Sequence, residues 1–303
     1  MTTGGTLVLA ISKRLFFFTM VNILTIATIS IFFGLTFSLF GRDPSNYSSL
    51  VLFYLLFGMI GAFISLAISK IMVRRQFGVR LIDPLTKDPV GQQLIEMVQK
   101  LAQKAKFKRP PEIGVYESEE VNAFAAGPSK NNSLVAVSTG LVRRMNRDQV
   151  EAVLGHEIAH IANGDMVTMT LIQGVMNTMV LFAANLVAKL LSSPIRYSSS
   201  RFFVRHALFM LLQVSLGLLG SLLVGHFSRS REFRADREAA FLAGREKMIS
   251  ALMALSKTRE LVHTQSLFMT SFKITGVRNK YLPWFSTHPP IEKRIQRLNS
   301  TKS

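Results

Sequence analysis

Cysteine is absent from all 303 residues. Its absence excludes disulfides and thiolate ligands, so a metal in this chain must be held by histidine and carboxylate. A reducing compartment is permitted without being required. Acid is scarce: 18 Asp+Glu stand against 36 Lys+Arg, for a formal charge of +18. Such a balance invites a nucleic-acid partner, but no recognised nucleic-acid motif accompanies it, and none is expected to bind. Many of the basic residues lie instead beside apolar segments, as contact with anionic lipid at a cytoplasmic face requires. Charged residues of both signs make up only 18% of the chain against 49% hydrophobic, with a mean hydropathy of +0.29. Soluble enzymes are seldom that apolar, so part of the chain belongs in a lipid bilayer.

Leu15 to Phe40 carries no charge and is long enough to span as a helix. It exceeds a signal-peptide core and has no small-residue cleavage site, so it reads as an uncleaved anchor. Leu50 to Ile68 is a second span. Lys13 and Arg14 precede the pair, and Lys70, Arg74, Arg75 and Arg80 follow it, which places both outer ends in the cytoplasm. Two further stretches, Met166 to Leu191 and Ala207 to Phe227, hold Gln173, Asn177, Asn185, Lys189, Gln213 and Ser215. They read as spans whose polar sides face other helices or a site. Arg196, Arg201 and Arg205 in their connector fit poorly outside the cytoplasm, which leaves a shallow, non-spanning hairpin as the alternative.

Between the second and third stretches lies His156-Glu157-Ile158-Ala159-His160. Residues four apart share a helix face about 6 Å apart along the axis. Two imidazoles so placed can converge on one zinc ion at about 2.0–2.1 Å from each nitrogen. Glu157 then reaches water rather than the metal. The context is helical: Asn146 with Gln149 resembles a capping box, Val150, Val153, Leu154, Ala159 and Ile161 give apolar spacing, and Asn163-Gly164 is a stop.

A hydrolytic zinc site wants a third protein ligand. A histidine in the HExxHxxGxxH pattern is excluded, because Asn163 and Met166 stand where Gly and His would fall. Glu232 and Asp236, four apart before Gly244, share a helix face. The ordinary fate of such carboxylates is solvation, but the ligand requirement makes Glu232 the best candidate and leaves Asp236 free to orient an imidazole. Glu238 and His288 are the reserve candidates. Asp88-Pro89 opens an amphipathic helix carrying Leu94, Val98, Leu101 and Ala105. Three β-like runs follow, Glu112 to Tyr116, Val121 to Ala126 and Leu134 to Ser138. They buttress the motif helix, and one edge strand, with Asn122, Ala123, Phe124 and Ala125, is a candidate to pair with an extended substrate. Phe268 to Lys280 reads as a loop or lid. Tyr281 to Phe285 reads as core or a membrane-interface anchor, and Pro290 starts a last helix with Ile291, Ile295 and Leu298 on one face. His288 is structural, or, if it points into the cleft, an oxyanion stabiliser.

The two segments His156 to Asp165 and Ser228-Arg229-x-Arg231-Glu232-Phe233-x-Ala235-Asp236 together resemble the HtpX-type heat-shock membrane metalloproteases. Val121 to Ala125, His288-Pro289-Pro290-Ile291 and the four-stretch layout add to the likeness, which covers nearly the whole chain. The resemblance implies a gluzincin-like catalytic domain at the cytoplasmic face of a bacterial inner membrane. It also implies proteolysis of damaged or misassembled membrane proteins under stress. By matching position, His156, His160 and Glu232 take one Zn2+ per chain and Glu157 the catalytic role. The expected architecture is mainly α with a small β-sheet, in four parts. Residues 1–75 form a transmembrane hairpin, 76–165 the first catalytic part, 166–227 a second apolar hairpin and 228–303 the second catalytic part. Polypeptides and the lipid bilayer are the expected partners.

Three rivals stand beside this reading. An intramembrane protease would need the zinc helix in lipid, yet Arg147, Asp148, Glu151 and Asn163 make it too polar. A prenyl-protein-type protease implies more spans than four. A non-catalytic membrane scaffold is disfavoured because all four inferred residues are present.

Overall fold

The computed structural model describes residues 47–266 and 289–300. Leu15 to Phe40, Phe268 to Lys280, Tyr281 to Phe285 and His288 therefore lie outside the described residues. The chain divides into two units, Met1–Tyr54 and Leu55–Ser303, and the architecture below is that of the second.

The described chain is mainly helical, with one small mixed sheet. Helix α1 (Tyr47–Phe77) leads through Gly78 into strand β1 (Arg80–Leu81). Helix α2 (Pro89–Lys104) follows. Asp88 caps it by accepting from the Gly91 amide at 2.8 Å, and Pro89 takes the first turn, where its missing N–H leaves no bond unmade. Strands β2 (Glu112–Tyr116), β3 (Ala123–Ser129) and β4 (Asn132–Ser138) come next, then the short helix α3 (Thr139–Arg144). Helices α4 (Arg147–Ala162), α5 (Asp165–Ser192), α6 (Ser198–Ala243), α7 (Arg245–Ser266) and α8 (Ile291–Ser300) complete the order.

The sheet runs β1-β2-β4-β3, with β2 and β4 parallel and the outer pairs antiparallel. Its residues alternate between two faces, as strand periodicity demands. Ile113, Val135 and Val137 point into the main core, with Ala123 and Ala125 against it. Tyr116, Leu134 and Ala136 form a second cluster with Val79, and Phe124 packs there. The Phe77, Tyr116 and Phe124 rings sit 5.2–5.8 Å apart by centroid, so the end of α1 covers that second face.

Three strands differ from the pattern-based expectation, β4 by starting at Asn132 instead of Leu134. β3 starts at Ala123 and runs through Gly127 and Pro128 to Ser129, with a register shift between Ala126 and Ser129. An edge strand tolerates the missing proline N–H where a bulge absorbs it. β1 is two residues long, too short for any alternation to be read. Along β2 the expected and observed bounds coincide.

Among the described residues three helices are long and apolar enough to cross a membrane: α1 over Tyr54–Phe77, α5 and α6. Their outer rows support this. Leu55, Leu56, Ile60, Phe63 and Ile64 on α1, with Leu211, Val214, Leu218 and Leu223 on α6, are exposed, a surface that water would not tolerate at this size. α6 has 46 residues, roughly 69 Å of helix, far more than a bilayer is thick. It runs without a break from the apolar stretch into the segment bearing Glu232 and Asp236, so the boundary at residue 228 is one of composition and not of backbone. The helix ends at Gly244, whose φ of +115 a side chain would strain.

Candidate metal centre

The site begins with the start of α4. Asn146 accepts from the Gln149 amide at 2.9 Å and Gln149 returns a bond to the Asn146 amide at 3.1 Å, a closed capping box. Leu154, Ile158 and Ile161 are fully buried, which fixes the rotation of α4. His156 is then buried, and His160 half-buried beside it. The carboxylates come from α6, where Glu232, Ala235, Asp236 and Ala239 are buried on one face against α4.

Three donor atoms converge there. His156 Nε2 and His160 Nε2 are 3.1 Å apart. A Glu232 oxygen lies 3.4 Å from the first and the other 3.3 Å from the second. In a tetrahedral site with bonds of about 2.0–2.1 Å, ligand atoms are separated by about 3.3–3.4 Å. The residues therefore fit a cation of that size, with two nitrogens and a carboxylate as donors. With each Nδ1 proton held by a carboxylate, two Nε2 atoms 3.1 Å apart need a proton or a metal ion between them.

The outer nitrogens are anchored too. His156 Nδ1 is 3.0 Å from Asp236 Oδ1, and His160 Nδ1 is 2.7 Å from Asp165 Oδ2. A carboxylate at Nδ1 holds the proton there and leaves Nε2 free for a metal. Asp236 sits where its expected orienting role requires. Asp165 was not singled out for a role in the sequence: Gly164, at φ +67, turns the chain so that the first residue of α5 comes back to His160. Arg294 of α8 was missed as well. It grips Asp236 through both oxygens, Nε to Oδ2 at 2.7 Å and Nη2 to Oδ1 at 2.5 Å. The signal was available, because Arg294 shares the stripe of Ile291, Ile295 and Leu298 and so was due to be buried. Arg231 lies 3.7 Å from the Asp165 carboxylate and donates to the Asp165 carbonyl at 3.4 Å, and its buried Nε has no hydrogen-bond partner among the described residues.

These charges set the protonation of the imidazoles. Burial disfavours a charged His160, but Asp165, Glu232 and Glu157 outweigh it and raise its pKa to about 9. For His156, burial is likewise outweighed by Asp236 and Glu232, and the pKa is raised. Four carboxylates, Asp165, Glu157, Glu232 and Asp236, stand against the two guanidiniums of Arg231 and Arg294, an excess that the imidazole protons balance and that a divalent cation would balance in their place.

Glu157 is half-buried on α4, close enough to raise the His160 pKa. Ala123, Phe124 and Ala125 lie in β3, an edge strand that packs against α4 and α5. Asn122 precedes that strand and is tied back to β4: its carbonyl accepts from the Ser138 amide at 2.9 Å. Glu238 accepts from Asn163 Nδ2 at 2.8 Å and is not part of the donor group.

A sequence model of peptidase family M48 matches residues 90–302. The chain is 43% identical over 297 residues to the protease HtpX homolog of Bacillus licheniformis, which covers 95% of this chain and 99% of that protein. It is 43% identical over 293 residues to protease HtpX of Shewanella oneidensis, with 95% and 99% covered. The crystal structure of S. mikatae Ste24p matches with a TM-score of 0.65 over 94% of this chain and 67% of that one, at 20% identity, which is a likeness of fold. With the family matched over most of its length and apolar helices flanking a His-His-Glu group, the chain belongs to peptidase family M48 and is a membrane metalloprotease.

Proposed function

We propose that the chain is a zinc endopeptidase of a bacterial inner membrane, with its catalytic domain and both termini in the cytoplasm. It hydrolyses damaged or misfolded membrane proteins at that face. The observation that carries the reading is the convergence of His156 Nε2, His160 Nε2 and Glu232 at 3.1–3.4 Å. These three hold one zinc, with Asp236 and Asp165 orienting the imidazoles. When bound, zinc supplies Lewis acidity that polarises the scissile carbonyl and acidifies water. Glu157 is the general base that takes a proton from the attacking water and returns it to the leaving amine. Because Glu157 transfers only protons, the reaction needs no acyl-enzyme. The free edge of β3, at Ala123 to Ala125, pairs with substrate backbone, which gives affinity with little dependence on side chains. His288 remains a candidate for binding the oxyanion.

Helix length supports a site just outside the bilayer. Ala207 to Phe227 is roughly 31 Å of helix, enough to cross a hydrocarbon core of about 30 Å. Glu232 follows Phe227 by about 7 Å. α5 and α6 therefore form a spanning hairpin, residues 166–227, inserted between two parts of one catalytic domain, 76–165 and 228–303. The arginines at its far end have local partners: Arg201 donates to the Ile195 carbonyl at 2.6 Å and Arg205 to Asn185 at 3.0 Å. Orientation bias is a tendency that the first hairpin usually dominates, so these arginines do not by themselves bar a connector outside the cytoplasm. The test is zinc stoichiometry with casein cleavage and self-cleavage on detergent-purified protein, wild type beside Glu157→Ala. One zinc per chain with chelator-sensitive cleavage supports the proposal; metal-free wild type that still cleaves overturns it.

A further inference from the structure

We propose that Arg294 is a positioning residue for the metal centre, acting on His156 through Asp236, so that the site is complete only when the C-terminal helix is docked. The inference rests on His156 being a zinc ligand.

A guanidinium is costly to bury, and nothing in the packing of α8 calls for one. Ile291, Ile295 and Leu298 already seat the helix on the core, Arg245 holds it through the Asn299 carbonyl at 2.7 Å, and Arg297 stacks over Phe233 at 4.6 Å. An apolar residue on the same stripe would dock the helix as well. Yet the Arg294 side chain is 9% exposed and meets an Asp236 that is 2% exposed. Its two parallel bonds fix the plane of the carboxylate, a constraint that a fork imposes and a point charge does not. The plane so fixed puts Oδ1 at 3.0 Å from His156 Nδ1. The same guanidinium lies 3.9 Å from Glu232 Oε2, so it abuts the support of one ligand and the carboxylate of another. The corresponding contact on the other imidazole is looser: Arg231 stands 3.7 Å from the Asp165 carboxylate, donates to the Asp165 carbonyl at 3.4 Å and makes no fork.

The arm spans distant parts of the chain, with Arg294 and His156 138 residues apart.

The experiment uses the full chain in detergent and measures zinc affinity by competition with a calibrated chelator. The proteins are wild type, Arg294→Met, Arg294→Lys, Asp236→Asn, and the Arg294→Met/Asp236→Asn pair. Arg294→Met is expected to lose about 10–100-fold in zinc affinity, the range for a residue that orients a ligand. Arg294→Lys, which keeps charge without the fork, is expected to fall between it and wild type. In the Asp236→Asn background the Arg294→Met change is expected to cost less than about threefold, because its main path to the metal is already cut and only its longer contacts, 3.5 Å to His156 Nδ1 and 3.9 Å to Glu232, remain. The double variant buries no unpaired charge, so it and Arg294→Lys carry the test if Arg294→Met does not fold. A wild type that binds one zinc, beside an Arg294→Met or Arg294→Lys that binds it equally tightly, overturns the proposal. So do losses that multiply in the double variant. A wild type that binds no zinc overturns instead the ligand assignment beneath it.

Discussion

At the scale of single residues the proposed mechanism separates the centre into groups that hold the metal, a group that moves protons, and groups that hold the holders. Glu157→Gln keeps the shape of the side chain and removes the base, so turnover is expected to fall at least about 100-fold, the low end for general-base catalysis, at unchanged zinc stoichiometry. Metal analysis beside a cleavage assay checks this; zinc lost together with activity would show that Glu157 is a ligand. Glu232→Ala removes a donor and is expected to purify largely metal-free. Asp236→Ala removes a support and is expected to keep zinc with affinity or activity down about 10–100-fold. Chelator competition ranks the two, and a Glu232→Ala protein with wild-type affinity sinks the ligand assignment. The reading of these residues from sequence went as far as one helix face allows. His156 and His160 declare each other at four residues' spacing, whereas Asp165 and Arg294 become partners of the imidazoles through a turn and a docked helix that no local spacing encodes.

At the scale of elements, two contacts hold α4 and α1 where the site needs them. Glu151 on α4 is buried and receives Lys247 of α7 at 2.6 Å, with Lys100 of α2 at 3.5 Å. Burial alone would raise its pKa, but the Lys247 bond and charge, then Lys100, outweigh burial and lower it. A carboxyl depressed in the folded state adds stability that is fully present above its unfolded pKa of about 4.5 and is lost as pH falls through the folded value. Lys247→Met is therefore expected to destabilise by about 1–2 kcal/mol at neutral pH, between exposed and buried pairs. The deficit should shrink as the pH drops below about 4.5. Melting curves of both proteins across pH 3 to 7 (roughly the window of that titration) check it, and parallel curves exclude the linkage. Gly58 of α1 faces Gly174 and Thr178 of α5 so closely that a Cβ on it would collide with their backbone and side chain, while Gly61 has nothing within 4 Å among the described residues. Gly58→Val is expected to lower the melting temperature by several degrees, the effect of about 1–3 kcal/mol of overpacking. Gly61→Val at the same crossing is the control, and equal effects of the two would refute the close approach.

At the scale of the whole molecule, the long helix α6 joins lipid to chemistry: one end is an exposed apolar row, the other presents Glu232 and Asp236. If α6 spans as proposed, a single continuous helix sets the height of the site above the bilayer, and membrane insertion and active-site assembly are geometrically linked. The orientation is tested by reporter fusions. A reporter after Tyr47 is expected outside the cytoplasm, and reporters after Arg80 and Ser303 inside it. A reporter after Ser303 found outside would overturn the topology and move the site across the membrane.

The sequence by itself determined whatever depends on a short repeat or a local backbone preference. It marked the capping box at Asn146, the stop at Asn163-Gly164, the proline start of α2, the apolar stretches and the two histidines of one helix face. Each of these is written in a contiguous run of the chain. It also pointed to Glu232, but only through the need for a third ligand and through resemblance. Tertiary structure alone decided that Arg294 grips Asp236 behind His156, that Asp165 returns to His160, and that a two-residue strand extends the sheet. The reason is physical. Periodicity says which face of an element is buried, whereas the partner it meets there depends on how distant elements cross, and that angle is set by the summed packing of the whole core.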